Sequence, residues 1–111
     1  ILGHKKNPYP YMIKADALIL SSLWEEVGFV IVESALSNLL VFSSNCPNGP
    51  KEFLENGRAG YLFNSNEKLA LRNVIHKLNS ENYKKKVIAK KNCFKYTKFR
   101  HFKVFNNILS N

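Results

Sequence analysis

Acidic residues are almost missing from the second part of this chain: from Glu67 to Asn111 there are two against twelve basic ones, whereas residues 1–66 carry six against five. The whole of the +9 formal charge therefore belongs to the C-terminal part. Cysteine is scarce too. Cys46 and Cys93 form no CxxC pair, and His4, His76 and His101 are scattered. That pattern excludes a zinc-ligand spacing and a disulfide-stapled scaffold, and points to a reducing compartment, the cytoplasm. No metal and no cofactor is expected. No apolar run approaches the roughly 20 residues a membrane-spanning helix needs, and no charged stretch followed by an apolar one opens the chain as in a signal peptide. Ile1 reads as the end of an apolar run, so the chain is expected to be a piece of a longer protein. One further scarcity is local: between Val27 and Pro50 the only charged residue is Glu33, in a stretch that otherwise reads as buried helix and strand. A carboxylate in such a place needs a partner.

What is present suits a globular domain, with 45% apolar residues. The length of 111 residues allows one core and not two. Residues 1–66 read as an α/β part and residues 67–111 as a basic helical part of a single partial domain. Ala15 to Ser22 (ADALILSS) is a short apolar run closed by serines, with its strand core at Ala17 to Leu20, and Leu39 to Ser43 repeats the pattern. Uninterrupted runs of this kind predict strands covered on both faces. Between them, Gly28 to Ser37 predicts a helix with Val27, Val30, Ile31, Ser34 and Ala35 on one stripe. Strand, helix and strand make a right-handed βαβ crossover, and the fold class is α/β with a Rossmann-like parallel sheet.

The flanks follow from turn chemistry. Pro8 or Pro10 opens a first helix, Pro50 opens a short one running to Glu55, Gly57 ends it in the left-handed region, and Gly60 to Phe63 forms another strand. From Asn66 the period becomes helical. Leu69, Ala70, Val74, Ile75 and Leu78 share a face, Ser80 caps a second helix, Val87, Ile88 and Phe94 continue it weakly, and Phe102, Phe105 and Leu109 form a last stripe.

On this scaffold Glu25 falls just beyond the carboxyl end of the first strand, the edge of an open α/β sheet at which ligands bind. Gly28 stands at the next helix N-terminus, where the N–H groups of Gly28, Phe29 and Val30 can face a phosphate or a sugar hydroxyl. Glu33, more than one turn further, can accept two hydrogen bonds from a vicinal diol such as a ribose. The plainer reading is an ordinary loop with acidic residues near a helix start, and Glu33 in an internal salt bridge to a C-terminal lysine.

The runs SSLWEEVGFVIVESALSN and LLVFSSNCPNGPKEFLENGRAGYLF, preceded by NPYPYMIKADALILSS, resemble the donor-binding C-terminal half of the family-four retaining glycosyltransferases of the GT-B fold. The likeness reaches from near the start to about Phe63. The family signature is a glutamate, seven residues and a second glutamate, the count from Glu25 to Glu33. The resemblance implies that Glu33 binds the ribose hydroxyls of a nucleotide-sugar donor and that Glu25, the catalytic-site glutamate, lies by the donor sugar. It also implies that the amides of Gly28, Phe29 and Val30 face sugar and phosphate. The implied activity is transfer of a hexose with retention, to an acceptor glycan or lipid-linked sugar held by an N-terminal domain. That domain, and an Arg and Lys pair on the diphosphate, lie outside this chain, so the piece alone is expected to be inactive. The chain departs from the family at two places: Glu26-Val27 replaces Gly-Phe after the first glutamate, and Asn38 and Leu40 replace the Gly and Pro between the helix and the next strand.

Other readings are a non-catalytic remnant, or a basic module for a polyanion or a membrane surface. Lys84 to Lys86, Lys90, Lys91, Lys95, Lys98, Arg100 and Lys103, interleaved with Tyr96, Phe99 and Phe102, suit phosphate contacts. A solvated helix face is the preferred account, and nucleic acid is not the expected partner. Tyr9 and Tyr11 could flank a base but are expected to pack on the fold, and Cys46 beside Pro47 is expected to be a buried thiol.

Overall fold

The computed structural model describes residues 3–26, 28–79 and 82–97. Its elements are α1 (Tyr9–Met12), β1 (Ala17–Leu20), α2 (Phe29–Leu36), β2 (Leu40–Ser44), α3 (Gly49–Phe53), β3 (Tyr61–Phe63), α4 (Ala70–Ile75) and α5 (Tyr83–Cys93). The strands form one parallel sheet in the order β1-β2-β3, with Ala17 opposite Leu40 and Phe42 opposite Tyr61. The expected α/β class and the first βαβ unit are thus observed.

Burial differs between the two apolar strand runs. Every residue of β2 is buried, as expected of a strand between two others. In contrast, β1 lies at the edge of the described sheet, none of its residues is buried and Ile19 is 43% exposed. The prediction of cover on both faces fails there, because composition reports apolarity and not neighbours.

Helix α2 begins after Gly28, which is buried at φ 63° and ψ 55°. A side chain in that left-handed conformation costs roughly 1–2 kcal/mol, so glycine is the residue the entry favours. The buried face is Ile31, Val32, Ser34 and Ala35. Val30 is partly buried and packs against the core as expected, Val32 joins the face, and Val27 lies outside the described residues. At the far end Asn38 takes φ 64°, the left-handed exit that a glycine would otherwise supply. The amide of Leu40 donates to the carbonyl of Asp16 across the ladder at 3.3 Å, a bond proline could not make. Asn38 and Leu40 therefore keep a working turn where the resemblance implies Gly and Pro.

Below α2 the core gathers Ile31, Val32, Ala35, Val41, Phe53, Leu54 and Ala59, closed by Ala89 and Cys93 of α5. Pro50 is the second residue of α3, not its opener, and the helix ends at Phe53. A left-handed turn follows, with Glu55, Asn56 and Gly57 at φ 49°, 55° and 96°. The expected left-handed Gly57 is there, with two non-glycine residues before it. This turn is clamped from the C-terminal side: Lys85 donates its ammonium to the Gly57 carbonyl, Lys95 lies 3.5 Å and Arg58 3.4 Å from the Glu55 carboxylate, and buried Asn92 donates Nδ2 to the Phe53 carbonyl at 2.7 Å.

The helical part departs most from expectation. Helix α4 spans six residues and buries only Ala70, while Leu69 and Leu78 are 53% and 42% exposed. Helix α5 packs through Ala89, Asn92 and Cys93 with Ile88 beside them as expected, whereas Val87 and Phe94 are exposed. Small and polar side chains make this contact because α5 lies close on α2 and α3, and hydropathy alone could not find it. Ser80, Phe102, Phe105 and Leu109 lie outside the described residues. Tyr9 and Tyr11 are exposed on α1 rather than packed, since a single turn of helix at the start meets no second layer.

Candidate functional site

The carboxyl ends of β1, β2 and β3 open on one edge, and the loop between β1 and α2 is tied to it by polar contacts. Ser44 at the end of β2 donates its hydroxyl to the Ser22 carbonyl, and the Gly49 amide at the start of α3 donates to the Glu26 carbonyl at 2.8 Å. The loop carrying Glu25 is therefore anchored to both neighbouring chain segments. Glu25 itself is half-buried, and the Ser22 hydroxyl donates to its Oε1 at 2.6 Å. The other oxygen, Oε2, lies 4.0 Å from the point a Cβ on Gly28 would occupy. Such a Cβ would also meet Ile31 Cδ1 at 3.3 Å. Glycine at this point thus serves the turn and leaves room beside the carboxylate.

No side chain caps α2. The amides at its first turn, those of Phe29 and Val30, have no partner within the helix and carry the positive end of its dipole. Phe29 is 64% exposed and Val30 partly buried. Glu33 stands four residues after Phe29, about 6 Å along the axis and on nearly the same side, with its Cβ tilted back toward the N-terminus. Its side chain is half-buried, and no hydrogen bond or ion pair reaches its carboxylate among the described residues. The internal salt bridge considered for Glu33 is not formed there: Lys95 pairs with Glu55.

The structure thus brings Glu25 and Gly28 together and sets Phe29, Val30 and Glu33 along one side of the helix they begin. Ser22 and Ser44 were not anticipated as site residues. Their signal was the serines that close both strand runs. A hollow of about 590 Å³ is lined by the Cys46–Asn48 turn, Lys51, Glu52, Glu55, Asn56 and Arg58. None of the five anticipated residues lines it. Cys46 and Cys93 are free and buried, and no three potential metal ligands gather among the described residues. No described helix is long and apolar enough to cross a membrane.

Comparison with known proteins gives this edge a context. Residues 1–96 match the family described as Glycosyl transferases group 1. An uncharacterized glycosyltransferase of Methanocaldococcus jannaschii is 37% identical over 54 residues, which cover 49% of this chain and 13% of that protein. A Campylobacter jejuni protein named as an α-1,4-N-acetyl-D-galactosaminyltransferase acting on a diphosphoundecaprenol-linked saccharide is 30% identical over 95 residues, 83% of this chain and 26% of that protein. The chain spans about a quarter or less of these relatives.

Proposed function

The chain belongs to the group 1 glycosyl transferases, and from that premise we propose that it is the donor-binding part of a retaining enzyme of GT-B type that transfers a hexose from a nucleotide sugar. The observation that carries this reading is the half-buried Glu33, without a partner among the described residues, on the same helix side as the uncapped first turn of α2. A carboxylate so placed beside the amides of a helix start suits a ligand that offers hydroxyls and a phosphate together.

In this reading Glu33 accepts the two ribose hydroxyls, and the amides of Gly28, Phe29 and Val30 face the sugar and its phosphate. Glu25, held by Ser22, lies by the hydroxyls of the donor sugar. Its ionised form stabilises positive charge developing at the sugar carbon as the nucleotide leaves, the kind of electrostatic contribution that dominates such steps. Gly28 lets the donor approach without a Cβ in the way. Residues 1–66 hold the donor, and the segment from Tyr83 to Tyr96 braces them through Lys85, Asn92 and Lys95. The acceptor, a glycan or lipid-linked saccharide of the class in the Campylobacter relative's name, is held by a separate domain of a longer protein. Transfer requires that domain, the chain alone binds without turning over, and the site of action is the cytoplasm.

Titration of nucleoside diphosphate sugars into the chain and into Glu33→Ala tests this. Two charge-assisted hydrogen bonds lost from the ribose should weaken binding at least about tenfold. Equal affinities for the two proteins would refute the assignment of Glu33.

A further inference from the structure

Helix α5 turns an unusual face outward. At 3.6 residues per turn Tyr83, Val87 and Phe94 fall within about 40° of one another, with Lys90 about 20° beyond one side and Lys91 and Lys84 within about 60° beyond the other. Tyr83, Val87 and Phe94 are 70%, 40% and 69% exposed, and the three lysines are exposed as well. The inner face is complete without them, through Ala89, Asn92 and Cys93. An aromatic and aliphatic stripe between lysines thus points away from the core. Leu36 of α2, 52% exposed, extends it, and with Phe94 it borders an apolar hollow of about 170 Å³. No acidic residue lies on α5 from Tyr83 to Cys93.

We propose that this face docks on an anionic lipid bilayer, with Tyr83, Val87 and Phe94 at the headgroup boundary and Lys84, Lys90 and Lys91 on acidic headgroups. Charge complementarity selects an anionic partner, and the central apolar stripe selects one with an accessible hydrocarbon layer. A nucleic acid would satisfy the lysines and leave Val87 and Leu36 against water. Seated this way, the helix that braces the α3 turn also places the sheet edge with Glu25 at a fixed height from the membrane.

Co-sedimentation of the full chain with phosphatidylcholine vesicles, with and without phosphatidylglycerol, is the test. Binding should require the anionic lipid and weaken as salt is raised. Each lysine near the surface contributes about fivefold, so the triple variant Lys84→Gln, Lys90→Gln, Lys91→Gln should lose on the order of a hundredfold in partition. Phe94→Ser should lose several-fold at any salt concentration. The control triple Lys5→Gln, Lys6→Gln, Lys14→Gln and the site variant Glu33→Ala should each bind as the parent does, which separates this surface from the donor site. All replaced side chains on α5 are exposed, and circular dichroism checks that the variants stay folded. The proposal is overturned by absence of binding to anionic vesicles, by equal losses in the two lysine triples, by Phe94→Ser binding as the parent does, or by loss only when Lys98, Arg100 and Lys103 are replaced.

Discussion

Replacing Gly60 by alanine probes how closely β3 approaches the core. A Cβ there would lie 2.6 Å from the Val41 carbonyl oxygen and 2.8 and 3.3 Å from the two methyls of Leu54. Val41 is 1% exposed and belongs to the central strand, and Leu54 is fully buried, so neither yields without moving the sheet or the α3 turn. Overpacking of this kind costs about 1–3 kcal/mol and at times more, and a clash with main chain belongs at the upper end, about 3 kcal/mol. Gly57 supplies the comparison, because it has φ 96° and nothing within 4 Å of its missing Cβ. Gly57→Ala therefore loses only backbone comfort, about 1–2 kcal/mol, offset by about 0.4–1 kcal/mol of unfolded-chain entropy. At roughly 4–8 °C per kcal/mol for a domain of this size, Gly60→Ala should melt at least about 12 °C below the parent, and Gly57→Ala, with a net loss of at most about 1.6 kcal/mol, should show about half the shift of Gly60→Ala or less. Thermal unfolding followed by far-UV circular dichroism reads both. Melting of Gly60→Ala within a few degrees of Gly57→Ala would refute the close approach of β3 to β2.

Two further predictions concern buried polar groups. Ser34 is fully buried and its hydroxyl has no hydrogen-bond partner among the described residues, so Ser34→Ala should raise stability in urea unfolding by about 1 kcal/mol; a loss of that size would mean the hydroxyl has a partner. Burial pushes the Cys93 thiol up from its usual 9.0, and burial with Glu52 nearby pushes the Tyr96 phenol up from 10.0. The unfolded chain then releases these protons first, so stability should be full below about pH 9 and fall as pH rises further. Lys85, lowered from 10.5 by burial and by Lys77, works the other way and gains stability toward that value. Melting temperature against pH should therefore decline less steeply above about pH 9 in Cys93→Ala than in the parent; parallel curves would show that Cys93 is not protected.

The βαβ unit was legible because its signals are local. Apolar runs of strand length, serines closing them and a glycine before an amphipathic stretch place β1, α2 and β2 as they were read. The positions of the candidate residues were legible for the same reason, since Glu25, Gly28 and Glu33 lie within nine residues of one another on one loop and one helix. Ser44 escaped notice because it reaches Ser22 across 22 positions. Asn92 did so because an amide on a lysine-rich helix gives no hint that it will cap the Phe53 carbonyl 39 residues away.

By itself the sequence determined the order of the elements from α1 to β3, the parallel class, the family and the spacing of the two glutamates. These depend on backbone preference and on residues near one another in the chain. Only the tertiary structure decided which apolar groups meet a partner. It left β1 at an edge and Phe94 on the surface, placed Cys93 and Ala89 in the core, and paired Lys95 with Glu55 rather than with Glu33. Burial is a property of neighbours brought together by folding, so hydropathy can name a side chain that gains from cover without naming what covers it. Glu33 illustrates this: its residue type and position were written in the chain, and that Lys95 pairs with Glu55, leaving the Glu33 carboxylate with no partner among the described residues, is a result of folding.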